Sequence, residues 1–266
     1  MNFTLFKATT KSNWITLAIF FVIMIMYMGI IISMFDPESI DSLIAMLETM
    51  PKELVAAMGF EEIGTTLTTF IASYYYGFLI IMFPMIYCII VGNRLVAKHV
   101  DSGSMAYLLS TPNSRVTIVT TQALYLITSV TVLLGLIALS GIAFSESMFP
   151  GELDISSFLI LNLTTLFAFY AISGICFFFS CIFNDTKNSL AFGAGVPIAF
   201  FVLNMLANVG EKYAWLGNLS LFTLLDPLKL LDGNSFTITA NVIFLIVAAV
   251  MYGGGILFFS RKNLPI

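Results

Sequence analysis

The sequence predicts an all-α integral membrane protein: six transmembrane helices, both termini cytoplasmic, forming a single transmembrane domain over residues 1–266. Three observations lead there. Of 266 residues 59% are apolar and only 10% charged, with a mean hydropathy of +0.99, whereas a soluble domain carries about 25% charge. Six apolar stretches, 14–35, 67–93, 116–143, 156–183, 189–209 and 238–259, are each long enough to cross a hydrocarbon core at the helical rise of about 1.5 Å per residue. None of them contains Asp, Glu, Lys, Arg or His. At the chain-wide frequency about 14 charges would fall in these roughly 145 residues, each costing about 2.5 to 3.5 kcal/mol at mid-bilayer.

Composition also removes whole classes of function. A water-soluble enzyme would need far more polar surface. The net charge of −4 lacks the basic footprint of a nucleic-acid binder, so no DNA or RNA partner is expected.

Orientation follows from the basic residues, which are retained on the cytoplasmic side. With the N-terminus inside, Lys7, Lys11, Arg94, Lys98, Arg115, Lys187, Arg261 and Lys262 are cytoplasmic, against Lys52, Lys212 and Lys229 outside. Of the fifteen carboxylates only Asp101 and Asp185 fall inside. The expected setting is a bacterial plasma membrane, with the chain a multi-pass protein in contact with lipid.

Residues 1–13 place Phe3, Phe6 and Thr10 on one stripe close to Trp14, which reads either as a short helix in the inner interface or as a plain leader. The first span follows Lys7 and Lys11 as a signal peptide would, but its 22 residues without an A-x-A site read as a retained anchor. In the outer segment 36–66, Asp36 and Pro37 open an amphipathic helix with Ile40, Leu43, Ile44 and Leu47 on one face, and a second amphipathic turn follows Pro51. These read as helices on the outer surface or as a solvated acidic loop.

Residues 94–115 form the longest inner segment. Asp101 and Ser102 can cap a helix running to about Ser110, Gly103 interrupts the pattern, and Met105, Leu108 and Leu109 form an apolar face. That face either packs back on the spans or enters a groove on a cytoplasmic protein. The outer segment 210–237 is apolar over 219–231 except for Asp226 and Lys229, and Pro227 breaks it, so it reads as a re-entrant or surface-lying pair of short helices.

No chemistry-bearing motif is present. Without G-x-x-x-x-G-K-[ST] the chain has no cradle for ATP phosphates, and it also lacks H-E-x-x-H and G-x-S-x-G. His99 stands alone beside Lys98, Glu61-Glu62 has no Arg or His at useful spacing, and Cys88, Cys176 and Cys181 fall inside spans as small apolar residues. The chain is therefore expected to have no catalytic residues, no metal site and no bound cofactor. Within the spans, Phe70, Tyr74 and Phe78 at i, i+4 and i+8, and Asn204 and Asn208 at i and i+4, mark either helix packing or the walls of a substrate pathway.

From Asp101 to Arg115 the chain reads D-S-G-S-M-A-Y-L-L-S-T-P-N-S-R. This stretch resembles the loop between the second and third spans in membrane (permease) subunits of type-2 ATP-binding-cassette exporters, where Glu is commoner at position 101 and Thr at position 104. The likeness extends to Met50-Pro51-Lys52-Glu53-Leu54 with Gly59-Phe60, to 220–227, and to the closing R-K-N-L-P-I, where the family often has Asp at position 263. The resemblance implies that Asp101, Ser102, Gly103, Met105, Leu108, Leu109 and Arg115 form a coupling helix seated on a separate ATPase. It also implies two such ATPase subunits holding ATP and Mg, and a second membrane subunit, identical or related. The chain is then the permease of an ATP-driven exporter of an amphipathic substrate, a peptide such as an antimicrobial peptide ranked first, then a lipid or hydrophobic drug. A membrane immunity or sensor protein that binds a toxin through its acidic outer surface is the alternative.

The charge distribution makes one directly checkable statement. Single cysteines at positions 48, 152 and 212 should react with a membrane-impermeant thiol reagent on intact cells, while those at 7, 115 and 261 should not. Labelling at position 115 would refute the orientation.

Overall fold

The computed structural model describes residues 1–36, 49–57, 64–231 and 233–263, and all regular structure among them is helical. The expected helix at Ile40, Leu43, Ile44 and Leu47, the Glu61-Glu62 pair and the last three residues lie outside that range. Among the described residues six helices are long and apolar enough to cross a membrane: Phe3–Ser33, Leu67–Asp101, Arg115–Met148, Ile155–Ile182, Thr186–Asn208 and Ser235–Arg261, hereafter the first to sixth spans. Six crossings bring both termini to one end of the bundle, where Arg115 bonds the backbone of Lys262 and Asn2 bonds Asn113. We call this the terminal end and the opposite one the far end.

The first span departs most from expectation. Instead of a short interfacial helix followed by a turn, one helix of 31 residues runs unbroken from Phe3, about 46 Å at the helical rise. No Pro or Gly stands before Gly29, so nothing in the sequence ends the helix where an interfacial piece would have stopped.

Every span begins at a side chain that accepts its otherwise orphaned amides. Asn2 accepts from Leu5, Thr66 from Thr69, Ser114 from Thr117, Asp154 from Ser156 and Ser157, Asp185 from Asn188, and Asn234 from Phe236. Short side chains with a polar tip satisfy these groups without carrying a long charged chain toward lipid.

The fourth span is the hub, packing on the second, third, fifth and sixth, most extensively on the sixth. There Ser173 and Tyr252 share a hydrogen bond of 2.8 Å. Close approach to the second span depends on Gly92, because a Cβ there would sit 2.9 Å from that of Cys176. Toward the periphery the first, fifth and sixth spans expose Ile19, Val22, Met26, Val202, Leu206, Val250 and Leu257. Apolar side chains turned outward along whole helices suit lipid as the solvent.

The second span is wound in three ways. After Leu67–Ile71 it opens into a π-helix at Ala72–Leu79, then returns to α over Ile80–Leu95 with Pro84 inside it. At Val96 the backbone leaves helical angles, and a further turn, Ala97–Asp101, follows. The amide of Ala97, which no helical carbonyl receives, donates to Ser180 Oγ at 2.9 Å. Beyond the fifth span the chain forms two 3-10 turns, Glu211–Leu219 and Leu221–Leu224, and the short helix Pro227–Leu231. Phe222, Leu225 and Leu230 of this connection are buried, and the Phe222 ring packs on Phe169 of the fourth span. It is a folded-in connection, as the broken apolar pattern of 219–231 predicts.

Removing the Ser180 hydroxyl leaves the Ala97 amide buried without an acceptor, which costs about 1 to 3 kcal/mol. Ser180→Ala should therefore lower the thermal midpoint of the detergent-purified protein by several degrees, whereas Ser260→Ala, whose hydroxyl bonds only its own helix at the exposed Leu257 carbonyl, should not. Equal midpoints would show that the Ala97 amide finds another partner.

Candidate functional site

Two places collect functional groups. At the far end, the second span, the fifth span and the 211–231 connection enclose a cavity of about 710 Å³. The second span contributes Thr69, Ser73, Gly77 and Ile81, the fifth Asn204 and Asn208, and the connection Phe222, Thr223, Leu225, Asp226, Pro227, Leu228, Lys229 and Leu231, with Ala56 also at the wall. Thr69 to Ile81 covers at most about 18 Å of helix at 1.5 Å per residue, so the cavity reaches well into the bundle.

The stripe of second-span residues facing the cavity is the one beside the aromatic stripe. Phe70 is buried against Phe35 and Tyr74, with ring centroids 5.5 and 4.6 Å away, while Phe78 packs on Phe201 at 5.6 Å. The expected pathway residues thus divide: Asn204 and Asn208 line the cavity, and the three aromatics brace the helix that forms its wall. The two adjacent stripes share the same i, i+4, i+8 spacing, and packing decides between them, because Phe70 and Phe78 meet the Phe35 and Phe201 rings. Small polar residues at i, i+4 and i+8, Thr69, Ser73 and Gly77, were the available sequence signal.

Polar groups of this wall are organised. Thr223 Oγ1 donates toward Asn204 Oδ1 at 3.1 Å and toward the Gly217 carbonyl at 2.8 Å, and Ser220 donates to the Phe200 carbonyl at 2.7 Å. Lys229 and Asp226 pair at 2.7 Å; on so exposed a site this ion pair adds under about 1 kcal/mol. The wall mixes apolar side chains such as Phe222, Leu225 and Leu228 with hydrogen-bonding ones such as Thr69, Ser73, Asn204 and Thr223.

At the terminal end, residues 97–115 fold into two short helices, Ala97–Asp101 and Ser104–Leu109, joined at Gly103. Gly103 adopts φ +71°, and a Cβ there would meet nothing within 4 Å, so glycine is needed for its left-handed backbone and not for close approach. Around this turn Ser104 bonds both Ser102 and His99 Nδ1, each at 2.9 Å. His99 is thus a bonded part of the turn.

The apolar face of this segment turns toward the bundle. Met105 is buried in the core, and Leu108 and Leu109 pack partly buried against it. Tyr107 projects the other way with 80% of its surface exposed. Arg115 donates to the Lys262 carbonyl at 2.7 Å. Lys262 in turn donates to the carbonyls of Cys181 and Ile182, at 3.1 and 2.6 Å, completing the end of the fourth span. Burial pushes its ammonium down to about 8, against a counteracting pull from Asp185. Asp101 accepts from the Thr186 amide at 3.3 Å, and Asp185, held below the usual carboxylate range by the amide and side chain of Asn188, caps the same helix. The roles of Lys262, Ser180 and Thr186 have no periodic signature, because each depends on which helix end comes alongside.

Among the described residues, no group of three His, Cys, Asp or Glu side chains is placed to hold a metal. The family model for ABC-2 family transporter proteins matches residues 7–264, nearly the whole chain. No curated protein and no solved structure matches it.

Proposed function

We propose, from the premise that this chain belongs to the ABC-2 family of transporter proteins, that it is the permease subunit of an ATP-driven exporter in a bacterial plasma membrane. Membership brings partnership with an ATP-binding-cassette ATPase, and the finer assignments are ours. The terminal end faces the cytoplasm, two ATPase subunits carrying ATP and Mg bind there, and a second membrane subunit, identical or related, completes the pathway. This chain performs no bond chemistry. It supplies a membrane-spanning scaffold, a cytoplasmic contact and a cavity.

The observation that carries this reading is the match over residues 7–264, and the exposed Tyr107 supplies the contact. Large amphipathic aromatics with few rotatable bonds concentrate binding energy when a partner covers them. Met105, Leu108 and Leu109 key the segment to the spans, so a push on Tyr107 moves helices and does not merely bend a loop. The far-end cavity receives the substrate, and its mixed wall favours an amphipath, a peptide first and then a lipid or hydrophobic drug.

Tyr107→Asp should leave insertion and thermal stability unchanged yet weaken ATPase association by about 30-fold or more, on the order of 2 kcal/mol for a central aromatic contact. Leu108→Asp should destabilise the segment itself. Co-purification with the ATPase chain, measured for both variants, checks this. Full association by Tyr107→Asp would exclude that face as the contact, and a native chain that associates with no ATPase would favour the immunity or sensor role.

A further inference from the structure

The terminal end holds a second feature that the reading above does not use. The turn between the fourth and fifth spans, residues 183–185, is gripped from both sides by groups of the 101–115 segment. On one side Asp101 accepts the Thr186 amide, the first of the fifth span. On the other, Arg115 holds the Lys262 carbonyl while Lys262 Nζ closes on the last carbonyls of the fourth span. An anion thus meets a helix N-terminus and a cation meets a helix C-terminus, each favourable with the macrodipole.

The fifth span is built to respond. Along its length only Ser189, Gly193 and Pro197 are buried. Pro197 supplies no amide to the Gly193 carbonyl one turn earlier, and that carbonyl instead accepts from Cys176 Sγ at 3.2 Å. A helix with one broken backbone bond, held there by a thiol, has a pivot between its two halves. Below it stands Thr186 with Asp101; above it stand Asn204 and Asn208 in the cavity wall.

We propose that Asp101 and the Arg115–Lys262 pair are positioning residues that clamp the turn between the fourth and fifth spans, so that displacement of the 101–115 segment swings the fifth span about Gly193–Pro197 and reshapes the far-end cavity. This rests on the reading of the segment as the ATPase contact. Motion then reaches the cavity through the fifth span, and not only along the second and third spans that the segment joins in sequence.

The test uses the full complex with its ATPase in lipid nanodiscs and measures spin-label distances with and without Mg-ATP plus vanadate. One pair reports the segment, positions 111 and 245, and the other the fifth span, positions 206 and 245, so that the Tyr107 contact is left intact and the exposed Thr111 carries the label. The native thiols Cys88, Cys176 and Cys181 are all buried, which keeps labelling at the introduced cysteines. In the otherwise native chain both distances should shift. Thr186→Pro removes the donated amide at the first helical position, where proline is well accepted and the preceding residue is already extended at φ −120°, ψ 147°. In that variant and in Asp101→Ala the 111 shift should persist and the 206 shift be lost, with Asp101→Glu restoring it. A 206 shift that survives Thr186→Pro, or is absent in the otherwise native chain while 111 moves, overturns the clamp. No shift at 111 in the otherwise native chain would instead overturn the assignment of the ATPase contact.

Discussion

A backbone amide or carbonyl inside hydrocarbon has no water to turn to, so wherever a helix starts, breaks or bends the chain must bring its own partner. Most of this structure follows from that constraint. It accounts for the capping side chain at every span, for Ser180 under the Ala97 amide, for Cys176 on the carbonyl that Pro197 leaves open, and for Lys262 on the end of the fourth span. In each of the last three cases one of the partners belongs to the fourth span, which explains why that helix is the hub of the bundle.

The same partners make the protein mechanically connected. A break satisfied within its own helix would be a local defect; one satisfied by a neighbour ties two helices together at the point where one of them can bend. At the terminal end these ties converge on residues 97–115, whose apolar side chains pack into the bundle and whose aromatic ring faces away from it. At the far end the π-wound stretch of the second span and the far half of the fifth face one cavity. The contact expected for the ATPase and the cavity therefore lie at opposite ends of shared helices.

Much of this was legible in the sequence. The six spans, the short broken connection after the fifth, and the importance of Gly103 follow from apolar run length, from Pro227 and Asp226, and from a glycine set inside a helical pattern. Residue-level facing was harder to read. Phe70, Tyr74 and Phe78 have the same i, i+4, i+8 spacing as the adjacent Thr69, Ser73 and Gly77, so periodicity alone does not say which of the two stripes faces the cavity. Met105, Leu108 and Leu109 were identifiable as an apolar face, but periodicity cannot say whether such a face meets its own bundle or another chain. Arg115 and Lys262 were legible only as cytoplasmic basic residues; their bonds to helix ends depend on tertiary neighbours some 80 to 150 positions away.

The account turns on which side of the 104–109 helix meets another protein. Photo-crosslinking amino acids placed at positions 105 and 107 of the intact complex address this directly. The structure predicts a crosslink to the ATPase chain from 107 and only intramolecular products from 105. A crosslink to the ATPase from 105, with none from 107, would contradict it.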